Sequence, residues 1–182
     1  KLVGRRGLST RVISGIDFAL WDIRGKVADR PLYKMLGGFT NRVPVYVAGG
    51  YYEEGKGLED LAVEMEKAVG MGANAIKMKI GRDRLSEDIA RVTAIRELLG
   101  SETTLMVDAN MRWTVDEAVR AGRALSEHDL YWLEEPIIPD DVDGHARVLR
   151  DGGLPIATGE NLHSLYELQK LIAGGGVSFP EP

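Results

Sequence analysis

Two lysines and three carboxylates are the residues of this chain best placed to do chemistry. Lys77 and Lys79 alternate with Ile76, Met78 and Ile80 in the run Ala75–Ile80. Successive side chains of a β-strand point to opposite faces, so the apolar residues share one face and the lysines the other. If the apolar face packs on helices, both ammonium groups enter the interior and need anionic partners. Such partners end the next three strand-like runs. Asp108 closes Thr104–Asp108 on the face opposite Leu105 and Val107, and Glu134 closes Leu130–Glu134. Glu160 follows Pro155–Thr158 in phase with Ile156 and Thr158. The intervals are equal, 134 − 108 = 26 and 160 − 134 = 26, so the three carboxylates are expected at one height on neighbouring strands. Glu135, one residue beyond Glu134, is expected to point away.

A lysine pair alone is equally well read as solvated on an edge strand. A single carboxylate at a strand end is as well read as a helix cap. Three carboxylates in register with two inward lysines need another explanation, because in a partly desolvated site they repel one another without a counter-ion. An all-oxygen ligand set favours a hard cation, and Mg²⁺ fits best. Zn²⁺ usually brings His or Cys. The chain has no cysteine, and His128, His145 and His163 are out of register, so they are read as surface or packing residues. The chemistry that follows is removal of a proton next to a carboxylate. A divalent cation and a nearby ammonium stabilise the enediolate where its charge develops. Lys79 is the candidate base, with its pKa expected to fall under the influence of Lys77, the metal and partial burial.

Alternating strands and helices must position these groups. A first helix is marked by Val12, Ile13, Ile16, Ala19, Leu20 and Ile23, with Ser9 or Thr10 as its cap. After Pro44, strands are expected at Val43–Ala48, Ala75–Ile80, Thr104–Asp108, Leu130–Glu134, Pro155–Thr158 and Val177–Phe179. Helices are expected between them at about Leu58–Met71, Leu85–Leu99, Val115–Ser126, Asp143–Arg150 and Leu165–Ile172, with Gly72, Gly100 and Gly174 at C-caps. Regular βα alternation implies a parallel sheet. Gly49-Gly50 with Gly55 and Gly57 lacks the spacing of a dinucleotide-binding turn. Polar residues at the C-terminal ends of successive strands favour an α/β, TIM-type (β/α) barrel.

The net charge of −5 gives no footprint for nucleic acid or an anionic membrane surface. No run of about 18 apolar residues is present to span a bilayer, and Lys1–Thr10 lacks the apolar core of a signal peptide. A cytoplasmic location is expected.

Several ordered segments carry a family resemblance. Ala75-Ile-Lys-Met-Lys-Ile-Gly81, Val107-Asp-Ala-Asn110, Trp132-Leu-Glu-Glu-Pro136 and Gly159-Glu-Asn161 resemble the motif set of the mandelate racemase/muconate lactonizing branch of the enolase superfamily. Ile13–Asp22 and Leu36-Gly-Gly38 are similar to that family's lead-in to its barrel. The resemblance implies Asp108, Glu134 and Glu160 as Mg²⁺ ligands, Lys79 as an acid/base group and Lys77 as the holder of a substrate carboxylate. It also puts Asn110 and Asn161 near metal or substrate, and Trp132 and Glu135 in supporting roles. It implies a small-molecule carboxylate substrate and a homo-oligomer. The family's capping domain would be represented by residues 1–42 and its barrel by residues 43–182, with about six of seven to eight strands. The 182-residue chain alone is expected to be marginal and inactive, with a second acid/base group, Asp followed by His, beyond Pro182. Dehydration of a sugar acid leads, ahead of racemisation or epimerisation, and then cycloisomerisation.

Overall fold

A computed structural model describes residues 6–82 and 84–182. Part of the stretch Lys1–Thr10, and of the proposed capping segment 1–42, lies outside these residues. The chain divides into two compact units, one running to Val45 and including Leu162–Leu165, the other comprising Tyr46–Asn161 and Tyr166–Pro182.

The first unit holds α1 (Leu8–Val27) and the short α2 (Leu32–Met35). The cap of α1 is Gly7 at φ +79°, so Ser9 and Thr10 fall inside the first turn rather than before it. Its apolar positions Val12, Ile13, Ile16, Leu20 and Ile23 each stay more than half exposed.

The second unit is a parallel sheet of six strands in sequential order: β1 (Val47–Gly49), β2 (Ala75–Lys79), β3 (Thr104–Asp108), β4 (Leu130–Glu134), β5 (Ile156–Thr158) and β6 (Phe179–Pro180). Helices α3 (Leu58–Gly70), α4 (Leu85–Leu99), α5 (Val115–Leu125), α6 (Val142–Gly152) and α7 (Leu165–Ala173) make the crossovers. This is the partial (β/α) barrel expected. The outer strands are shorter than expected. β1 starts four residues late because Pro44 has no N–H for a ladder, leaving Val43 and Val45 exposed.

Local signals fix the helix ends. Thr114 and Glu117 form a reciprocal cap on α5, with Thr114 N donating to Glu117 Oε2 at 2.8 Å. Asp141 Oδ1 accepts from Gly144 N at 2.9 Å to start α6. Gly100 ends α4 at φ +66°. The outer sheet face buries Ile76, Met78, Leu105, Val107, Leu133 and Ile156 against Leu61 and Met65 of α3 and Val92 and Ile95 of α4. Each such side chain contributes about 1.5–3 kcal/mol relative to exposure. Ile80 joins them, so the lysine-bearing face of β2 is the inner one, as its alternation requires. On that inner side Tyr46, Trp132 and Phe179 stack ring to ring, with centroids 5.8 and 5.2 Å apart.

Candidate active site

Strand register lines up the chemistry. Lys79 pairs with Asp108 across β2 and β3, and Asp108 pairs with Glu134 across β3 and β4. Three charged side chains therefore stand in one row at the C-terminal ends of adjacent strands, the end where barrels of this type build their sites. Asp108 and Glu134 are each 1% exposed. Charges so buried persist only when partnered. Lys79 Nζ lies 2.5 Å from Asp108 Oδ2. Lys77 forms an ion pair with Glu134 Oε1 and sits 3.5 Å from Asp108 Oδ2. Trp132 Nε1 donates to Glu134 Oε2 at 3.0 Å, and Asn110 N to Asp108 Oδ1 at 2.9 Å. The aromatic rings of Tyr46 and Tyr51 lie 5.0 and 5.5 Å from the ammonium groups of Lys77 and Lys79.

The third carboxylate departs from the expected height. Glu134 pairs with Ala157, three residues short of Glu160 (160 − 157 = 3), and β5 ends at Thr158. Equal sequence intervals did not give equal heights: α5 and α6 are each 11 residues long, but the first interval also holds the 3₁₀ turn Ser126–His128, and the β3–β4 pairing shifts register between Leu105 and Val107. Glu160 is exposed, yet its charge still acts on Glu135 and Glu181. No group of three His, Cys, Asp or Glu side chains arranged to hold a metal ion occurs among the described residues. The donor chemistry nevertheless fits a hard divalent cation: oxygen ligands only, two of them buried side by side in a field of excess carboxylates.

That field is visible in the titration of the site. Burial, with Asp108 adding to it, raises the Glu134 carboxyl against the pull of Lys77 and Trp132. Burial pulls Lys77 down, but the hydrogen bond and charge of Glu134, with Tyr46 and Asp108, together outweigh it and hold the ammonium above its usual range. Glu135 is fully buried instead of pointing away. It accepts from Asn161 Nδ2 at 2.8 and 3.1 Å, and burial pushes it up to about 7 against that hydrogen bond, with Glu160, Asp108 and Glu134 adding. Asn161 is thus brought to Glu135, and Asn110 to Asp108.

Glu181 was missed by sequence reasoning. Following β6, it sends a half-buried carboxylate toward the same charges, with Oε2 lacking a hydrogen-bond partner among the described residues, and burial pushes it up to about 7. Its signal lay in strand parity, since Glu181 shares a face with Phe179. The histidines behave as expected where they pack. His128 Nε2 bonds Thr93 Oγ1 at 2.8 Å, and His145 is buried on α6.

Known proteins resemble this chain over nearly its whole length. Residues 60–182 match the family described as enolase C-terminal domain-like, and residues 4–37 match the mandelate racemase / muconate lactonizing enzyme N-terminal domain. The chain is 51% identical over 179 residues to the 3,6-anhydro-alpha-L-galactonate cycloisomerase of Streptomyces coelicolor, covering 98% of this chain and 49% of that protein. It is 44% identical over 169 residues to the arabinonate dehydratase of Saccharolobus solfataricus, covering 93% and 45%. A crystal structure of a racemase from Streptomyces coelicolor with bound magnesium superposes with a TM-score of 0.91 at 49% identity, covering 99% of this chain and 50% of that one. The chain spans about half the length of the curated relatives it matches. With its parallel strands, its inward lysines and its matches to both domain families, the chain belongs to the mandelate racemase/muconate lactonizing enzyme family of the enolase superfamily.

Proposed function

We propose that the intact protein removes the proton α to the carboxylate of a sugar acid and expels the oxygen on the β-carbon, with Mg²⁺ as cofactor. The observation that carries this reading is the row Lys79–Asp108–Glu134 across three adjacent strands, with Lys77 beside it. Lys79 Nζ takes the C2 proton. Lys77 Nζ holds the substrate carboxylate. Asp108, Glu134 and Glu160 are the residues that would hold Mg²⁺, and Trp132 and Asn110 orient the first two. When bound, Mg²⁺ supplies positive charge where the enediolate develops its negative charge.

The two relatives differ in name more than in chemistry. Dehydration breaks a C3–hydroxyl bond after loss of the C2 proton. In a 3,6-anhydro sugar acid the C3 oxygen is the ring ether, so the same elimination opens the ring. Dehydration of an open-chain sugar acid remains the first reading, with the Gly159-Glu160-Asn161 motif in its favour. Ring-opening of an anhydro sugar acid is the second, favoured by the 51% identity to a cycloisomerase. Incubation of the intact protein with Mg²⁺ and either arabinonate or 3,6-anhydro-L-galactonate in D₂O, followed by NMR, separates them. Loss of the C2 proton signal with formation of a 2-keto product is expected from one of the two. Absence of C2 exchange across a panel of sugar acids, or exchange that persists in excess chelator, refutes the proposal.

A further inference from the structure

We infer that Tyr52, Asp88 and Arg91 are positioning residues: they tie the turns after β1 and β2 to α4 and so hold Tyr51 against Lys79. The inference rests on the reading of Lys79 as the base.

The two turns that flank Lys79 are both made at glycine. Gly50 has φ +66° and Gly81 has φ +88°. A Cβ at Gly50 would stand 2.9 Å from Met78 Cβ, and one at Gly81 would stand 3.2 Å from the Ala109 carbonyl oxygen. These turns press on the strands that carry the site, and a side chain at either would displace them. Both turns are anchored to the same helix. Arg91 Nη2 donates to the Gly50 carbonyl at 2.7 Å, and Gly81 N donates to Asp88 Oδ2 at 2.9 Å. Tyr52 closes the circuit. Its hydroxyl donates to the other Asp88 oxygen, and the Arg91 guanidinium lies 4.2 Å from its ring centroid. Tyr51, the preceding residue, has its ring 5.5 Å from Lys79 Nζ. Tyr51, Tyr52, Lys79 and Asn110 line one cavity of about 280 Å³.

Asp88 is 0% exposed and Arg91 7% exposed. Buried charges of this kind are often replaced by apolar residues with no loss of stability, so packing alone is a weak reason for them. Their hydrogen bonds go to two backbone groups, one in each turn beside the base, and to Tyr52 between those turns. A base acts only when its nitrogen is held in line with the proton it removes, and a misplacement of about 1 Å costs on the order of 10²-fold in rate. The network is suited to fix that distance without touching substrate.

The test uses Tyr52→Phe, which removes one oxygen, and Arg91→Lys, which keeps the charge but loses the planar fork over the ring. Two measurements are made on the intact protein. Hydrogen exchange by mass spectrometry reads the turns at residues 49–54 and 79–82. NMR in D₂O with Mg²⁺ reads the C2 exchange rate and KM for whichever of arabinonate and 3,6-anhydro-L-galactonate the wild type exchanges. Both variants are expected to speed amide exchange in both turns and to slow C2 exchange at least about 10-fold, part of the loss that misplacement brings. KM should stay within about 3-fold, since no substrate contact is removed. Asp88→Asn, which retains one acceptor oxygen, should lose less than Asp88→Ala. Turns that exchange at the wild-type rate overturn the inference. So do loosened turns with an unchanged C2 rate. A wild-type protein with no Mg²⁺-dependent exchange on any sugar acid instead overturns the assignment of Lys79 as base, and the turn measurement then still decides whether the tie exists.

Discussion

Lys79 and Asp108 are cross-strand partners in register, with the ammonium nitrogen 2.5 Å from Oδ2 of the carboxylate. The carboxylate that pairs with the proposed base is thus also the neighbour of Glu134, so the proposed base and the proposed metal ligands share one oxygen-rich edge. Removing Lys79 leaves Asp108 with Lys77 at 3.5 Å, and the fold should survive the change. Lys79→Ala is expected to slow α-proton exchange by at least about 10²-fold on one face of the substrate, the low end for loss of a general base. NMR in D₂O with a pair of C2-epimeric sugar acids checks it. Unchanged exchange on both faces contradicts the assignment.

Glu134→Gln should abolish Mg²⁺-dependent turnover while leaving circular dichroism unchanged. The amide keeps one acceptor oxygen in place of the two that receive Lys77 and Trp132, and removes the negative charge that a divalent ion requires. Isothermal titration with Mg²⁺ should show weakened binding. Full activity in this variant, or in excess chelator, argues against the ligand role.

His145 predicts a specific sensitivity to acid. Its ring is fully buried, with Nδ1 2.9 Å from the Asp141 carbonyl oxygen. Burial holds its pKa below the ordinary value, with the Asp141 carbonyl pulling the other way. The unfolded chain therefore binds the proton first. The stability from neutral His145 is complete above its ordinary pKa of about 6.5 and is lost as pH falls from there toward the lower folded value. Denaturant melts of wild type and His145→Asn at neutral and mildly acidic pH should converge as pH drops. A constant difference across that range refutes the claim.

Among the described residues β1 and β6 are the two edges of the sheet, each paired with one neighbour. Edge strands with free backbone groups pair with other chains. The 182 residues expressed alone are therefore expected to self-associate and to lack turnover. Sedimentation velocity checks this, and a monomeric, cooperatively unfolding, active species would contradict it.

The pattern of legible and illegible features has a physical basis. The shared inner face of Lys77, Lys79, Asp108 and Glu134 was readable because strand parity is local and each run alternates cleanly. Glu160 was misplaced in height because register depends on how much chain the intervening loops and helices consume. Tyr52, Asp88 and Arg91 escaped notice because Tyr52 lies 36 residues from Asp88 and no motif links them. A signal was present in the sequence. Asp88 and Arg91 sit at helical spacing with Val92 and Ile95 on the buried side of α4, where a charged residue needs a partner. Gly49-Gly50 was weighed only as a nucleotide-binding turn, whereas Gly50 supplies the carbonyl that Arg91 holds.

The indole of Trp132 donates to Glu134 Oε2 while its ring leans on Phe179 and Tyr46. An indole is a fluorophore whose emission follows the electric field and the polarity around it. One that is hydrogen-bonded to a carboxylate registers any change in that carboxylate's charge partner. The protein thus carries an optical probe at the heart of its site. The part of its emission that responds to Mg²⁺ should disappear in Trp132→Phe and persist when Trp21 or Trp113 is replaced, so cation binding can be followed in real time without a label.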